Sequence, residues 1–234
     1  MLDGFLPFVH QVPYRLHLPP LPGGAVPLLV ALHGKGDSLD RFEAEALEAV
    51  PDEWGLLVPS APLPRDSRTG REGGIGHSWY LYDGDTPEFR ASLGRAETFL
   101  VDLVTRVRMR AWDHMVEGRP VDPKRMALLG FSQGAYLAGV TAMRHSGLFG
   151  AAVLAGGRLK SEMLEPWFGE AKGLRILGIH GRDDRSVGAD PCRRSIEAAS
   201  AAGLPAEFRE MDGGHEFTPA MRAAAREWLA GVFG

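Results

Sequence analysis

The sequence predicts an α/β fold, in which a mostly parallel central sheet is covered by helices on both faces. Two observations lead to this prediction. Short and almost uninterrupted apolar runs recur along the chain, and segments with helical periodicity separate them. In addition, the 234 residues contain no internal repeat, low-complexity tract or linker, so we expect one domain spanning residues 1–234.

The first half of the chain begins with a strand pattern. Residues 12–18, VPYRLHL, alternate in polarity, which favours an antiparallel strand at the edge of the sheet. The apolar runs that follow predict buried strands, and the periodicity between them predicts helices, the first of which is capped by Ser38. The predicted strands are 26–32 and 55–62, and the predicted helices are 38–50 and 87–112.

The second half repeats this alternation more regularly. Asp190 followed by Pro191 is typical of an N-cap with proline at the first helical position, and we expect that helix to continue to Ala202. The other predicted elements are strands at 125–131, 150–156, 174–181 and 206–211 and helices at 133–147 and 219–232.

Two segments fit neither pattern. Residues 65–86 are rich in glycine and aromatic residues, and residues 157–173 insert a short apolar, helix-like piece between two strands. Long connections in compact domains are usually functional or mobile. We expect both segments either to wall a substrate pocket or to elaborate the surface.

The composition narrows the function classes. A net charge of −4 argues against nucleic-acid binding, which requires a clustered basic surface. Cys192 is the only cysteine, so no intramolecular disulfide can form, as is typical of a reducing compartment. The start of the chain lacks the pattern of a signal peptide, and no apolar run is long enough to span a bilayer. We therefore expect a cytoplasmic protein without stable membrane insertion, and the sequence leaves open whether it forms a homodimer.

One motif points to chemistry. GFSQG, residues 130–134, matches G-x-S-x-G and lies between a predicted strand and a predicted helix. In a nucleophile elbow the serine occupies a strained turn, so the residues two positions away must be small, as Gly130 and Gly134 are. The alternative is that Ser132 merely caps the helix. The position of the motif between strand and helix favours the nucleophile.

A nucleophilic serine needs a histidine as general base and a carboxylate that orients the histidine. In an elbow-containing fold, these partners follow the serine in the order carboxylate, then histidine. Asp183 and Asp184 follow the strand at 174–181, and His215 follows the strand at 206–211. His33 and His180 also lie at strand ends, where we expect them to shape the turns.

The tetrahedral intermediate of acyl transfer needs backbone N–H donors for its oxyanion. One donor is expected from Gln133, the residue after the candidate nucleophile. The second is expected from Lys35, in the loop HGKGD at 33–37 that follows the early strand. The glycines on both sides of Lys35 would let the backbone approach a substrate closely.

Taken together, four motifs resemble the phospholipase/carboxylesterase branch of the α/β-hydrolases, which includes bacterial carboxylesterases and acyl-protein thioesterases. The motifs are LHGKGD, GFSQGA, HGRDDRSV and GGHEF, in this order. The family's H-G-x-x-D-x-x-V pattern, laid on His180 and Val187, selects Asp184 over Asp183. The resemblance implies the α/β-hydrolase fold and neither a metal nor an organic cofactor. SWYLYD at 78–83 is similar to a family segment without matching it, and the 157–173 segment departs from the family pattern.

The sequence thus predicts a serine hydrolase of carboxylic esters, with Ser132, His215 and Asp184 as the catalytic triad. Trp79, Tyr80 and Tyr82 are predicted to line the acyl pocket or else to belong to the core. A thioesterase or lysophospholipase is the main alternative. A dienelactone-type hydrolase would usually carry cysteine at the elbow, and a binding module would not need all three triad residues.

Overall fold

The computed structural model describes residues 11–19, 25–65, 75–113 and 121–233. Within this part of the chain, seven strands form a main sheet and two form a separate hairpin. The strands in chain order are β1 (Tyr14–His17), β2 (Val26–Leu32), β3 (Gly55–Pro59), β4 (Leu63–Arg65), β5 (Gly76–Ser78), β6 (Val121–Phe131), β7 (Ala151–Ala155), β8 (Arg175–Gly181) and β9 (Ala206–Met211).

The main sheet has the strand order β1-β3-β2-β6-β7-β8-β9. Neighbouring strands from β3 to β9 in that order run parallel, and β1 pairs antiparallel with β3, with Tyr14 opposite Pro59. This arrangement confirms the predicted edge strand. The inner strands β2, β3 and β7 are fully buried and apolar because helices cover the sheet on both sides, whereas β9, at the edge, is only partly buried and contains charged residues.

Successive residues of β2 point into two different cores. Leu28 and Val30 pack in the core on one face of the sheet, and Leu29 and Ala31 pack in the core on the other. The helices, which divide between these faces as predicted, are α1 (Leu39–Ala49) and α6 (Pro219–Val232) on one side, and α2 (Pro87–Asp113), α3 (Gln133–Arg144), α4 (Ser161–Phe168) and α5 (Ala189–Ala201) on the other.

Helix boundaries test the capping predictions. The Ser38 hydroxyl accepts a hydrogen bond from the N–H of Arg41 and caps α1, as predicted. The prediction for α5 was wrong, because the N-cap is Gly188 and Asp190 lies in the first turn. Pro191 is therefore the third helical residue. Proline is compatible with this position because the N–H groups of the first turn have no partner within a helix.

The first of the two unusual segments lies beside the loop that follows β2. In the first segment β4 pairs with β5, whereas residues 66–74 lie outside the described part of the chain. Gly36 N–H donates to the carbonyl of His77, and His77 N–H donates to the carbonyl of Asp37, each at 2.8 Å. A Cβ atom at Gly76 would lie 2.1 Å from the Gly36 oxygen, so only glycine permits this approach. In the second segment, α4 connects β7 to β8.

No helix in the described residues has both the length and the apolar character needed to cross a membrane.

Candidate active site

Ser132 occupies a sharp turn between β6 and α3. Its φ of 53° and ψ of −116° make it the one non-glycine residue with positive φ in the described part of the chain. A Cβ atom at Gly130 would lie 2.2 Å from Gly134, and one at Gly134 would lie 2.2 Å from the oxygen of Leu32. Both glycines are therefore sterically required, as the motif predicted. The Ser132 side chain makes no capping hydrogen bond to α3, which argues against the helix-cap interpretation.

The structure brings Ser132, His215 and Asp184 into one hydrogen-bonded series. Ser132 Oγ lies 2.9 Å from Nε2 of His215, and Nδ1 of His215 lies 2.7 Å from Oδ2 of Asp184. An ionised carboxylate only accepts hydrogen bonds, so Nδ1 of His215 carries the proton and donates it. Nε2 is then free to accept a hydrogen bond from the serine hydroxyl.

Asp184 is held as a carboxylate by donors on both of its oxygens. The N–H groups of Ser186 and Val187 donate to Oδ1 at 2.8 and 2.9 Å. Burial alone would raise the pKa of Asp184, but the donors from Val187, His215 and Ser186 outweigh it and lower the pKa below its ordinary value. The neighbouring Asp183 is exposed, and its backbone N–H donates to the carbonyl of Gly213.

Two buried histidines support the loops around this series. His180 Nε2 lies 2.5 Å from the carbonyl oxygen of Val187 and 3.1 Å from Oδ2 of Asp184. His33 donates from Nδ1 to the carbonyl of Gly34 and accepts the N–H of Ala61 at Nε2. Burial lowers the pKa of His33, which favours this neutral form. Both histidines shape turns as predicted, but the contact of His180 with Asp184 was not foreseen.

The predicted oxyanion donors lie on either side of the elbow. A Cβ atom at Gly34 would lie 3.5 Å from Cβ of Ser132, which places the loop that carries Lys35 against the serine. Gln133 is the first residue of α3, so its N–H has no acceptor within the helix. Neither N–H donates to a protein acceptor within the described residues.

The side chain of Gln133 has a function that sequence reasoning missed. Its Oε1 accepts the N–H of Trp79, and its Nε2 donates to the carbonyl of Tyr80, both at 2.9 Å. Trp79 in turn donates from its indole to the carbonyl of His33 at 2.8 Å. The Gln133 side chain therefore connects the elbow to residues 79–80, while the Trp79 indole ties the same segment to the loop after β2.

A cavity of about 530 Å³ opens at the serine. Of the aromatic residues predicted for the pocket, Tyr80 and Tyr82 line it, whereas Trp79 is buried in the core behind the loop after β2. The other lining residues are Lys35, Ser132, Gln133, Tyr136, Arg158, Lys160, Ser186, Val187 and His215. Arg158 and Lys160 come from the segment 157–173, whose role the sequence left open.

Among the described residues, no group of three or more histidine, cysteine, aspartate or glutamate side chains is arranged to hold a metal ion.

Comparison with known proteins gives a consistent set of relatives. Over residues 24–232 the chain matches the sequence model of the phospholipase/carboxylesterase family. Carboxylesterase SOBER1 of Arabidopsis thaliana is 28% identical over 208 aligned positions, which cover 85% of this chain and 87% of SOBER1. The putative esterase NocK of Nocardia uniformis is 25% identical over 244 aligned positions, which cover 93% of this chain and 64% of NocK.

Solved structures show the same fold. A carboxylesterase from Mesorhizobium loti superposes with a TM-score of 0.75 at 21% identity, covering 94% of this chain and 95% of that one. Acyl-protein thioesterase 2 of Zea mays superposes with a TM-score of 0.71 at 21% identity, covering 96% of this chain and 100% of that one. At these identities the likeness concerns the fold alone.

Proposed function

The chain belongs to the phospholipase/carboxylesterase family of α/β-hydrolases, and from this premise we propose that it hydrolyses carboxylic esters with Ser132 as nucleophile, His215 as general base and Asp184 as the carboxylate that orients His215. The observation that carries the proposal is the hydrogen-bonded series through these three residues, with separations of 2.9 and 2.7 Å. A serine hydroxyl is weakly nucleophilic at neutral pH and becomes reactive when a base at hydrogen-bond distance accepts its proton.

The first half of the reaction transfers the acyl group to the enzyme. Ser132 Oγ forms a bond to the carbonyl carbon of the ester while its proton passes to Nε2 of His215. The tetrahedral intermediate collapses, the bond to the leaving oxygen breaks, and His215 returns the proton to that oxygen. The alcohol departs and an acyl-serine remains.

The second half releases the acid. A water molecule loses a proton to His215 Nε2 and attacks the acyl carbon, and the bond to Ser132 Oγ then breaks as His215 protonates that oxygen. Asp184 stays ionised throughout and stabilises the imidazolium that forms twice in each cycle. A thioester would follow the same route with sulfur as the leaving atom.

The negative charge that develops on the carbonyl oxygen needs fixed donors. We assign these to the backbone N–H groups of Lys35 and Gln133, which flank Ser132 and lack protein acceptors within the described residues. The hydrogen bonds of the Gln133 side chain to residues 79–80 and of the Trp79 indole to His33 hold the two donors in place before substrate arrives. Such preorganisation is the main source of oxyanion stabilisation.

The other functions considered for the sequence receive less support. A dienelactone-type hydrolase usually carries cysteine where this chain has Ser132. A binding module would gain nothing from a strained serine that is hydrogen-bonded to a histidine, which in turn binds a carboxylate, because such strain costs about 1–3 kcal/mol.

The test measures hydrolysis of 4-nitrophenyl esters with acyl chains of two to twelve carbons. We expect Ser132→Ala to lower kcat on the order of 10⁶-fold. Ser200→Ala, a matched change at an exposed serine of α5, should keep full activity. A fluorophosphonate should label Ser132 in the folded wild type, and a folded protein that is neither labelled nor active would overturn the proposal.

A further inference from the structure

Two cationic side chains stand in the wall of the cavity that contains Ser132. Arg158 and Lys160 lie on the connection between β7 and α4, directly beside the elbow. A Cβ atom at Gly157 would lie 2.6 Å from Cβ of Ala135 and 3.1 Å from the oxygen of Ser132. This close packing on the N-terminus of α3 turns the following residues towards the nucleophile.

The wall of this cavity has an excess of positive charge. Of its eleven lining residues, three are cations, namely Lys35, Arg158 and Lys160, and none is a carboxylate. Glu162 lies behind the wall and binds both terminal nitrogens of Arg158 at 2.8 Å, and these bonds lower the pKa of Glu162 to about 2. The single carboxylate of Glu162 is thus shared by two cations, Arg158 and Lys160.

Lys160 is the less neutralised of these two cations. Its residue is only 7% exposed, and its ammonium group lies 3.6 Å from Oε1 of Glu162, an oxygen that Arg158 already binds. The rings of Phe89 and Tyr82 lie 4.9 and 5.7 Å from it. The nearby Asp85 is paired with Arg90 at 2.8 Å. Lys160 thus shares the carboxylate of Glu162 with Arg158, and burying an ammonium group that is only partly compensated is costly.

These contacts offset the charge of Lys160 only in part, because Arg158 binds the same carboxylate. Lys160 is the N-cap of α4, where the partial positive charge of the helix disfavours a cation, and its side chain makes no capping hydrogen bond. An anion in the cavity would remove this unfavourable arrangement, because it would meet the ammonium of Lys160 and the guanidinium of Arg158 together.

We propose, on the basis of the proposed esterase function, that the natural ester carries an anionic oxygen group, a carboxylate or a phosphate, which Lys160 and Arg158 bind while the ester carbonyl lies at Ser132. The cavity of about 530 Å³ places both binding groups and the nucleophile in one space. The two cations then determine specificity, and Ser132 and His215 perform the chemistry.

The experiment compares charged and neutral esters of nearly equal size. One pair places the anion on the acyl group, with mono-4-nitrophenyl adipate against 4-nitrophenyl hexanoate. A second set places it on the leaving group, with 4-acetoxybenzoate and 4-acetoxyphenyl phosphate against 4-acetoxybenzamide. Because hydrogen bonds to charged groups are strong, we expect kcat/KM for at least one anion to exceed that of its neutral partner by about tenfold or more. The set also separates carboxylate from phosphate.

Variants link this preference to the proposed residues. Lys160→Met fills the same buried space without charge and should abolish most of the preference while hydrolysis of the neutral esters continues. Lys172→Met, at an exposed lysine of the same segment, should retain the preference. Arg158→Gln provides a second test if Lys160→Met does not fold, and it should likewise reduce kcat/KM for the anionic ester selectively.

The outcomes separate this inference from the esterase proposal. Equal kcat/KM for charged and neutral esters in an active, labelled wild type would overturn the anion site and leave the esterase function standing. A preference that survives both variants would overturn the assignment to Lys160 and Arg158. If the folded wild type hydrolysed none of these esters in a Ser132-dependent way, the esterase proposal itself would be overturned.

Discussion

Nε2 of His180 lies 3.1 Å from Oδ2 of Asp184, the same oxygen that His215 binds at 2.7 Å. The ring nitrogen of His180 also lies 2.5 Å from the carbonyl oxygen of Val187, whose N–H donates to the other oxygen of Asp184. Both neighbours of Nε2 are acceptors, so this nitrogen carries a proton. His180, from β8, and the N–H of Val187, from the following loop, therefore hold the two oxygens of Asp184.

Replacing either of the two adjacent aspartates by asparagine should have very different effects on turnover. Asp184→Asn should lower kcat by about 10⁴-fold, because the amide no longer holds His215 in the correct tautomer. Asp183→Asn changes the same charge at an exposed side chain and should remain within a few-fold of the wild type. Steady-state kinetics on one ester measure both, and a larger loss for Asp183→Asn would reverse the assignment.

The lowered pKa of Asp184 also predicts how the stability of the fold depends on pH. The pKa of Asp184 is lower in the folded protein than in the unfolded chain, where it is about 3.9. Its carboxylate therefore stabilises the fold above about pH 4, and this contribution is lost as the pH falls through the folded pKa. The free energy of unfolding of wild type minus that of Asp184→Asn should shrink between pH 7 and pH 3.

Urea unfolding at several pH values gives this difference, and Asp183→Asn controls for net charge. A difference that is the same at pH 7 and pH 3 would show that the carboxylate of Asp184 is not preferentially stabilised in the folded state.

Gln133 should matter for stability as well as for activity. Gln133→Leu leaves the N–H of Trp79 and the carbonyl of Tyr80 without their partner, at a cost of about 1–3 kcal/mol for each unpaired group. It should also lower kcat/KM, because the loop that carries Lys35 is no longer tied to the elbow. Thr141→Val is the contrasting change, since the buried hydroxyl of Thr141 has no partner within the described residues.

Urea unfolding should therefore show a large decrease in the free energy of unfolding for Gln133→Leu and a change near zero for Thr141→Val. Equal losses for the two variants would mean that the Gln133 hydrogen bonds contribute nothing beyond side-chain packing.

Two glycine-to-alanine changes should have opposite effects on the free energy of unfolding. Gly134→Ala would force a Cβ atom to within 2.2 Å of the Leu32 oxygen, so it should destabilise the fold by about 1–3 kcal/mol or more and displace the elbow. Gly94→Ala lies inside α2, where among the described residues no atom beyond the adjoining helix backbone and chain neighbours lies within 4 Å of the added methyl, and it should stabilise the fold by about 0.5–1 kcal/mol. Thermal unfolding, read together with esterase activity, distinguishes steric disruption of the elbow from a general effect of alanine.

Much of the fold follows from local patterns in the chain. The apolar runs predicted the parallel strands, and Ser38 predicted the start of α1, because both signals act between residues that are close in sequence. The prediction failed at Asp190, a residue type that favours the N-cap position but lies here in the first turn of α5, whose N-cap is Gly188. Capping depends on backbone conformation, which the residue type alone does not determine.

The site divides in the same way. The elbow around Ser132 and the strand-end loops that carry Lys35, the two aspartates and His215 could be predicted from the chain, because each is a local motif at a predicted strand end. That Asp184 is buried against His180 and His215 while Asp183 faces solvent follows from the packing of the folded chain. The tertiary structure also buries Trp79 behind the loop after β2 and places Lys160 and Arg158 in the wall of the cavity that contains Ser132. These contacts join residues that are distant in the chain, and such contacts depend on how the sheet and helices pack together.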